Sequence, residues 1–309
     1  MACVVVTGGA GKLGRACVDE LVRHGWDVVV FDRVGPPSES DAVFIPIDLT
    51  DYGQVLDAML GVEERYPRPD ALVHLAAVPA PGRVPDHQTF MNNISCTWNV
   101  VSAARRAGVT NIVWASSETV LGLPFDTPPP YIPVDEEYPP RPESTYSLVK
   151  TLEEAMAVQL CRWNPELKMI GLRFSNVMEP ADYARFSSFD GDPGSRKWNL
   201  WGYIDARDGA QAVRLALESD LTGTEVFIIA NADTVMSRPN AALIAEFYAD
   251  VEARGDLGEH DTLLSIEKAR RLLGYRPAFS WRNAGTSSSS SSPRLPPVDP
   301  APEPGAPLR

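Results

Sequence analysis

The sequence predicts an α/β fold, a doubly wound parallel sheet with helices on both faces. Two patterns indicate this fold: short runs that are almost wholly apolar, such as Cys3–Thr7, and segments of helical periodicity between them, such as Lys12–His24. Strands buried on both faces read as continuous apolar runs, and parallel neighbours need a long crossover, usually a helix. A third observation is the glycine-rich turn TGGAGKLG, which joins the first such run to the first helical segment.

The first half of the chain alternates strand and helix. The expected strands are short runs rich in β-branched and other apolar residues, at Cys3–Thr7, Asp27–Phe31, Val43–Ile47, Ala71–Leu75, Asn111–Ala115 and Lys168–Leu172. The expected helices between them are Lys12–His24, Asp51–Leu60, Thr89–Ala107 and Ser144–Trp163. Consecutive units of this kind build a parallel sheet covered on both sides.

After Arg173 the alternation weakens. Asp182–Asn199 is irregular and polar, and later elements are expected at Ala206–Glu218, Glu225–Ala230, Pro239–Asp250 and Ser265–Leu273. We expect residues 1–173 to form the sheet domain and residues 174–284 a small substrate-binding lobe, some of whose segments can return to the sheet domain. Residues 285–309 hold a run of six serines and a proline-rich stretch. They cannot bury enough apolar surface to offset their ordering entropy, so we expect disorder, with a proline-rich docking peptide as the alternative.

Charge and composition exclude several classes of function. The chain has 309 residues, with 28 Lys plus Arg against 41 Asp plus Glu and a net charge of −13. This acidity disfavours binding to nucleic acids and anionic membranes. No apolar run approaches the roughly 18 residues of a membrane-spanning helix. The N-terminal MACVVVTGG also lacks the features of a signal peptide, so we expect a cytoplasmic protein.

The four cysteines and four histidines are scattered along the chain. Their spacing matches neither a disulfide framework nor a zinc site. We therefore expect free, buried thiols and no metal.

The glycine-rich turn predicts a dinucleotide site. Its glycines fit two overlapping spacings, one beginning at Gly9 and one at Gly8, and both continue through Gly11 and Gly14. Such glycines allow a tight turn and a close approach of the backbone to a pyrophosphate, which the helix N-terminus then binds.

Asp32 ends the second expected strand, 18 residues after Gly14. A carboxylate here accepts hydrogen bonds from the adenosine ribose and repels a 2′-phosphate, so we expect NAD rather than NADP. Arg33 leaves the alternative open, because an arginine can pair with a 2′-phosphate. Asp32 can also be read as a solvated carboxylate at a strand end.

Further motifs follow in order, and together they resemble the extended short-chain dehydrogenase/reductase family, also called the NAD-dependent epimerase/dehydratase family. They are Asp48-Leu49, HLAA at His74–Ala77, Asn93, Ser116-Ser117, Tyr146-Ser147-Leu148-Val149-Lys150, LRFSNV at Leu172–Val177 and KARRLLGYRP at Lys268–Pro277. The resemblance extends from about Ala2 to Trp281 and implies a Rossmann fold. It also implies NAD-binding residues at Gly8, Gly11, Lys12, Leu13, Gly14, Asp32, Asp48, Leu49, Leu75, Ala76, Ala77, Asn93 and Lys150.

Tyr146 and Lys150 are spaced for acid–base chemistry. Residues four apart share a helix face, and a nearby ammonium favours the phenolate of a tyrosine whose free pKa is about 10. Tyr146 can then take a proton from a substrate hydroxyl as hydride leaves the same carbon. The resemblance implies that Lys150 binds the nicotinamide ribose and that Ser117, with Ser116 second, bonds the reacting oxygen. The alternative is a packed aromatic beside a solvated lysine.

One departure from the family concerns dehydration. The family's 4,6-dehydratases carry Thr-Asp-Glu where this chain has Ser117-Glu118-Thr119, so the acid pair for water elimination is incomplete. Glu118 either touches substrate or faces solvent.

A second departure concerns substrate size. The segment from Asn176 to Asp205 is short, whereas nucleotide-sugar members have a long segment that grips the nucleotide. The short form resembles uronate dehydrogenases, which oxidise a free sugar acid. That resemblance implies that Arg196 holds a substrate carboxylate, for which a guanidinium fork is suited, and the alternative is an arginine on a mobile loop. Those enzymes carry Ser-Asn-His where this chain has Ser117-Glu118-Thr119. This difference argues against uronate itself as the substrate.

The expected function is an NAD-dependent oxidoreductase that transfers hydride between a sugar or sugar-acid hydroxyl carbon and the nicotinamide. Tyr146 would be the base, and the expected substrate contacts are Ser117, Glu118, Asn176 and Arg196. The alternatives are a nucleotide-sugar 4-epimerase with retained NAD and a non-catalytic dinucleotide sensor. The substrate and the oligomeric state stay open, with a homodimer as one alternative.

Overall fold

The computed structural model describes residues 2–35, 41–61 and 65–283, and the Ser/Pro-rich stretch expected to be disordered lies outside them. The strands described are β1 (Cys3–Thr7), β2 (Asp27–Asp32), β3 (Val43–Pro46), β4 (Ala71–His74), β5 (Asn111–Ser117), β6 (Tyr131–Ile132), β7 (Lys168–Phe174), β8 (Val177–Met178), β9 (Ile204–Asp205), β10 (Gly223–Ile229) and β11 (Glu252–Ala253). The α-helices described are α1 (Lys12–Arg23), α2 (Tyr52–Met59), α3 (Asp86–Arg106), α4 (Thr145–Trp163), α5 (Phe186–Phe189), α6 (Ala206–Glu218), α7 (Asn240–Phe247) and α8 (Glu267–Leu273).

The main sheet has seven strands in the order β10-β7-β5-β4-β1-β2-β3. Every neighbouring pair in it is parallel. The chain winds outward from β1 in one direction through β2 and β3, and in the other through β4, β5 and β7. The boundary between β1 and β4 is therefore the topological switch point, where ligands of open α/β sheets bind. The expected doubly wound parallel sheet is confirmed.

Alternate residues of the strands pack into two separate cores, one on each face of the sheet. Along β1, Val4 and Val6 join one apolar cluster with residues of α1 and α6. Cys3 and Val5 face the other side and join a cluster with residues of α2, α3 and α4. This two-sided burial is the physical reason that the strands are mostly apolar, with their polar residues near the strand ends.

The observed elements lie within a few residues of the expected ones. β5 and β7 each continue two residues beyond their expected ends, to Ser117 and Phe174. β10 returns to the main sheet, where it pairs with β7 at the edge. Asp182–Asn199, expected to be irregular, consists mainly of short helical turns. The division into residues 1–173 and 174–284 stays a prediction.

Two short parallel pairs were not expected from the sequence. β8 pairs with β9, and β6 pairs with β11. Strands of two residues carry no recognisable alternation, so periodicity cannot reveal them. The β8–β9 pair joins the chain just after β7 to the start of α6 and so shapes one wall above the sheet.

Several expectations about side chains can be compared with the structure directly. All four cysteines are free and buried. No helix in the described ranges is long and apolar enough to cross a membrane. Among the same residues, no three metal-binding side chains are grouped as an ion would require.

Candidate active site

A cleft of about 800 Å³ opens at the carboxyl edge of the main sheet. Its walls come from the glycine-rich turn, the ends of β2, β5 and β7, the chain after β4 and one face of α4. These elements surround the switch point between β1 and β4. The volume is in the range of cofactor and substrate pockets.

Two glycines of the turn leave no space for a side chain. Gly8 has φ +74°, and a Cβ there would lie 2.7 Å from the backbone N of Ala76. A Cβ on Gly14 would lie 2.1 Å from the carbonyl oxygen of Gly8. Gly8, Gly11 and Gly14 line the cleft and Gly9 does not, so the spacing that begins at Gly8 is the one that faces it. α1 starts directly after Gly11 without a side-chain cap, which leaves its first N–H groups available to an anion.

The Asp32 carboxylate lines the cleft at the end of β2. It accepts hydrogen bonds from the backbone N–H of Ala10 at 3.1 Å and of Arg33 at 2.7 Å. The Arg33 guanidinium donates to the Asp48 carboxylate at 2.7 Å. That bond is the largest cause of the low pKa of Asp48, about 2. Arg33, the residue that could have paired with the 2′-phosphate of NADP, is therefore already paired with Asp48.

Two ion pairs connect α1 with Glu179 and with the helical turn Pro180–Arg185 that follows it. The Lys12 ammonium lies 2.5 Å from the Asp182 carboxylate, and the Arg15 guanidinium lies 2.6 Å from the Glu179 carboxylate. Exposed pairs of this kind contribute little to stability. Their effect here is geometric, because they hold a late part of the chain over the glycine-rich turn.

Tyr146 and Ser117 meet on the inner wall of the cleft. Tyr146 is buried in the first turn of α4, and Ser117 is the last residue of β5. Burial raises the pKa of Tyr146, while the Lys150 ammonium and a hydrogen bond with Ser117 act against that rise. Lys150 thus lowers the pKa of Tyr146, as expected from the sequence. Desolvation has the larger effect on this pKa and raises it.

Lys150 is almost completely buried, so it is not a solvated neighbour of Tyr146. Its Nζ donates to the carbonyl oxygen of Ala115 at 2.8 Å and to the carboxylate of Glu153 at 2.8 Å. Sequence reasoning missed Glu153. A signal was present, because positions 146, 150 and 153 follow the i, i+4, i+7 pattern of one helix face.

Ser116 has a different role from Ser117. The Ser116 hydroxyl donates to Glu154 at 2.6 Å, and Glu154 also accepts two hydrogen bonds from Arg173 at 2.9 and 2.8 Å. The Ser117 hydroxyl accepts from the backbone N–H and the hydroxyl of Thr119 and remains beside Tyr146. Both serines line the cleft, and Ser117 is the one in contact with Tyr146.

Glu118 is buried rather than facing solvent, with 3% of its surface exposed. Its carboxylate accepts from the Ser175 hydroxyl at 2.5 Å and from the Asn199 amide at 3.0 Å. Burial raises the pKa of Glu118 to about 7, although these hydrogen bonds and the charge of Arg196 act against the rise. The residue also lines the cleft, where it presents a carboxyl that changes charge near neutral pH.

Arg196 does not line the cleft. Its guanidinium lies 5.3 Å from the ring centre of Phe189 and 4.8 Å from that of Trp198, and it donates to the carbonyl oxygen of Gly202 at 2.8 Å. The 3-10 turn Pro193–Asn199 directs this side chain inward while Trp198 faces the cleft. The structure therefore places the Arg196 side chain away from the cleft in which it was expected to meet a substrate carboxylate. From the same part of the chain, Arg185 lines the cleft, and its side chain is 65% exposed.

Most of the expected cofactor residues line one cleft: Gly8, Gly11, Lys12, Leu13, Gly14, Asp32, Leu49, Leu75, Ala76, Ala77 and Lys150. Asp48 and Asn93 do not line it. Asp48 binds Arg33, and the Asn93 amide accepts from Val78 N at 2.7 Å and donates to Val78 O at 3.1 Å. Asn93 thereby fixes the loop after β4. Of the expected substrate contacts, Ser117, Glu118 and Asn176 line the cleft.

Comparison of the sequence with known protein families identifies the family to which this chain belongs. The model of the family described as "NAD dependent epimerase/dehydratase family" matches residues 4–192, which is more than half of the chain. The chain belongs to the NAD-dependent epimerase/dehydratase family. The cofactor of this family is NAD. The residues fit this cofactor, because the glycine-rich turn and the start of α1 can receive a pyrophosphate and Asp32 can receive a ribose.

Relatives within the family include both epimerases and dehydrogenases. The chain is 30% identical to UDP-glucose 4-epimerase 2 of Oryza sativa subsp. japonica over 198 residues, 58% of this chain and 46% of that protein. It therefore spans about half the length of that relative. It is 26% identical to the L-arabinose 1-dehydrogenase (NAD(P)(+)) of Haloferax volcanii over 285 residues, 90% of this chain and 96% of that protein.

A solved structure shares the fold over almost the whole chain. The protein titled "Mutated Uronate Dehydrogenase" superimposes with a TM-score of 0.64 at 22% identity, covering 95% of this chain and 89% of that one. The specific reaction differs among such relatives, so it has to be argued from the site.

Proposed function

We propose that the protein is an NAD-dependent dehydrogenase that oxidises a hydroxyl group of a free sugar or sugar acid. The observation that carries the proposal is the meeting of Tyr146, Ser117 and Lys150 in the cleft that also holds the glycine-rich turn and Asp32. The groups for proton transfer and the groups for dinucleotide binding thus lie in the same cleft. Oxidation of an alcohol requires this arrangement, because the proton and the hydride leave the same substrate.

Tyr146 acts as the general base. Its phenolate takes the proton of the substrate hydroxyl, and the carbon that bears this oxygen becomes a carbonyl as it loses hydride. NAD, when bound, supplies the hydride acceptor and adds a positive charge that favours the phenolate. Ser117 donates a hydrogen bond to the reacting oxygen and so orients it toward Tyr146. Lys150 keeps a positive charge beside the phenol and, of its three N–H donors, retains one for the nicotinamide ribose.

A small sugar suits the rest of the cleft better than a nucleotide sugar. The segment between Asn176 and Asp205 folds into short turns, which offers little surface for gripping a nucleotide. The L-arabinose 1-dehydrogenase relative matches over nearly its full length, which supports a free sugar as the substrate. Arg83 and Arg185 line the cleft and can meet a carboxylate on a sugar acid, and the Arg185 guanidinium also donates to Asp182 at 2.9 Å, whereas Arg196 is buried behind Trp198.

A nucleotide-sugar 4-epimerase is the second candidate, and the 30% identity to such an enzyme favours it. That reaction would use the same base and return the hydride to the sugar. The two candidates differ in cofactor balance, because a dehydrogenase releases NADH and an epimerase shows no net change.

The deciding experiment follows NADH absorbance with purified protein, NAD and a panel of free aldoses, uronates and UDP-sugars. Sustained NADH formation with a free sugar or sugar acid is the expected result. Interconversion of UDP-sugars without NADH would establish the epimerase instead. Binding of NAD without turnover of any panel member would favour a dinucleotide sensor.

A further inference from the structure

A chain of buried hydrogen bonds leads from Lys150 to the loop after β4. One oxygen of Glu153 accepts from Lys150 Nζ at 2.8 Å, and the other accepts from the Thr97 hydroxyl at 2.8 Å. Thr97 Oγ1 lies 3.0 Å from His74 Nε2, and His74 Nδ1 lies 2.7 Å from Thr7 Oγ1. None of these five residues is more than 2% exposed, so water cannot substitute for a missing partner.

The backbone fixes the direction of every bond in this chain. Thr7 Oγ1 accepts the N–H groups of Leu75 and Ala76 at 3.2 and 3.3 Å, so its own hydrogen is donated to His74 Nδ1. His74 is then a neutral imidazole with its proton on Nε2, and burial lowers its pKa to about 3. Nε2 donates to Thr97, whose hydroxyl hydrogen is left for Glu153. All the donors point toward Glu153, which is the arrangement that stabilises a carboxylate.

An ionised Glu153 changes what Lys150 can do. The lysine charge favours the phenolate of Tyr146, and a negative charge bonded to the same ammonium weakens that effect. Lys150 lowers the pKa of Tyr146, whereas Glu153 and Glu118 raise it. In addition to desolvation, the balance between Lys150 and Glu153 therefore affects how easily Tyr146 loses its proton.

The other charged groups around the pair have partners of their own. Glu154 is bonded to Arg173, and Glu118 is bonded to Ser175 and Asn199 and feels the charge of Arg196. Cys96 lies near Lys150 and Glu153, and burial raises the pKa of its thiol to about 11, so it is uncharged near neutral pH. Glu153 is thus the carboxylate bonded directly to the lysine ammonium.

We propose that Glu153 is a positioning residue that anchors the Lys150 ammonium and, by offsetting its charge, sets the pH at which Tyr146 becomes a base. The inference rests on the proposed function, in which Tyr146 is that base. Through Thr97, His74 and Thr7 the same carboxylate is tied to Leu75 and Ala76, which line the cofactor part of the cleft. The position of the lysine and the position of the cofactor loop are therefore set by one connected structure.

The direct test titrates Tyr146 without any substrate. Tyrosinate absorbance is followed against pH, and the Tyr146→Phe protein is subtracted to isolate this phenol. Glu153→Gln keeps the side-chain shape and removes the charge, so the pKa of Tyr146 should fall by about 1 unit. Glu153→Asp keeps the charge and should restore the higher value. Glu166→Gln changes an exposed glutamate beyond the end of α4 and serves as the charge-matched control with no shift.

A double variant covers the case in which Glu153→Gln does not fold because it leaves Lys150 buried without its counter-ion. Lys150→Met combined with Glu153→Gln removes both charges, and such pairs are often replaced by uncharged groups without loss of stability. Its Tyr146 pKa should lie below that of Lys150→Met alone. An unchanged phenol titration on removing Glu153, in whichever background folds, would overturn the proposal.

Kinetics separate this proposal from the proposed function. With an active substrate, the acid limb of the kcat/KM profile should move to lower pH in Glu153→Gln, whereas a purely structural role would lower the rate at all pH values without moving the limb. If Tyr146→Phe retains full activity, the base assignment fails, and the substrate-free titration still reports on Glu153.

Discussion

The guanidinium of Arg33 is bonded to the carboxylate of Asp48 at 2.7 Å, beside the Asp32 carboxylate that lines the cleft. This pairing determines the net charge next to the expected position of the adenosine ribose of the cofactor. Asp32 offers a negative acceptor to the ribose hydroxyls, and the neighbouring positive charge is already neutralised by Asp48.

NAD should therefore bind at least about tenfold more tightly than NADP, a difference of about 1.4 kcal/mol. Asp32→Ala should narrow that gap. Asp48→Asn should narrow it as well, because it frees the Arg33 guanidinium to approach a 2′-phosphate. Calorimetric titration of both cofactors measures the effect, and tighter binding of NADP by the unmodified protein would contradict the role of Asp32.

Replacing Tyr146 by Phe keeps the ring and removes the proton acceptor. Turnover should fall by roughly 10²–10⁴-fold because general base catalysis is lost. NAD affinity should change little, which separates lost chemistry from a collapsed site. Stopped-flow or steady-state measurement of NADH formation gives the turnover rate. Fluorescence or calorimetric titration gives the affinity for NAD. Ser117→Ala should lower turnover as well, whereas full activity in Tyr146→Phe would remove the proposed mechanism.

Arg185 and Arg196 should respond differently to substitution. Arg185→Gln should raise KM for a sugar acid by about tenfold, since a charge-assisted hydrogen bond contributes about 1.5 kcal/mol or more, and should leave a neutral sugar nearly unaffected. Arg196→Met should leave KM for both substrates unchanged, because its guanidinium lies between Phe189 and Trp198. Arg185→Lys is the matched control for charge without the fork. If only the Arg196 variant had a large effect on KM, Arg196 rather than Arg185 would be the residue that binds the substrate carboxylate.

Stability should decline as pH rises from about 4.5 to about 7, and Glu118 is one cause of this decline. Its folded pKa of about 7 lies above the ordinary value of 4.5, so the folded state holds a proton that the unfolded state releases. The stability linked to this proton is fully present below the ordinary pKa and lost as pH rises through about 7. Glu118→Gln mimics the protonated form and should remove a decline on the order of 3 kcal/mol. Denaturant unfolding between about pH 5 and pH 8 measures this, with Glu166→Gln as the exposed control; parallel curves for Glu118→Gln and the unmodified protein would contradict it.

Local pattern was sufficient to predict the main sheet and much of the cleft. Apolar runs placed the long strands, and the glycine-rich turn and the Tyr146–Lys150 spacing placed residues that the fold brings together. Both signals depend on neighbours along the chain. The Gly8 spacing could be chosen over the Gly9 spacing only from the structure, because the choice depends on the approach of Ala76 from the loop after β4.

The differences from expectation concern side chains whose direction or partners depend on other parts of the fold. Arg196 and Arg185 lie in one polar stretch, and only the turn that begins at Pro193 decides which of them faces the cleft. Glu153 was missed because its importance comes from Thr97 on α3 and His74 on β4. Spacing within one helix does not reveal partners on other elements.

The position of β10 and α6 has a consequence for how the enzyme matures on the ribosome. α6 packs against α1, the helix that follows the glycine-rich turn, and β10 completes the sheet beside β7. Both are made after most of the cofactor-binding residues, so the nascent chain emerges with an uncovered face on α1 and an open edge on β7. A fragment that stops near residue 192, where the family match ends, would keep both surfaces exposed. Expression of such a fragment should give aggregation rather than a minimal cofactor domain, since unpaired strand edges recruit other chains.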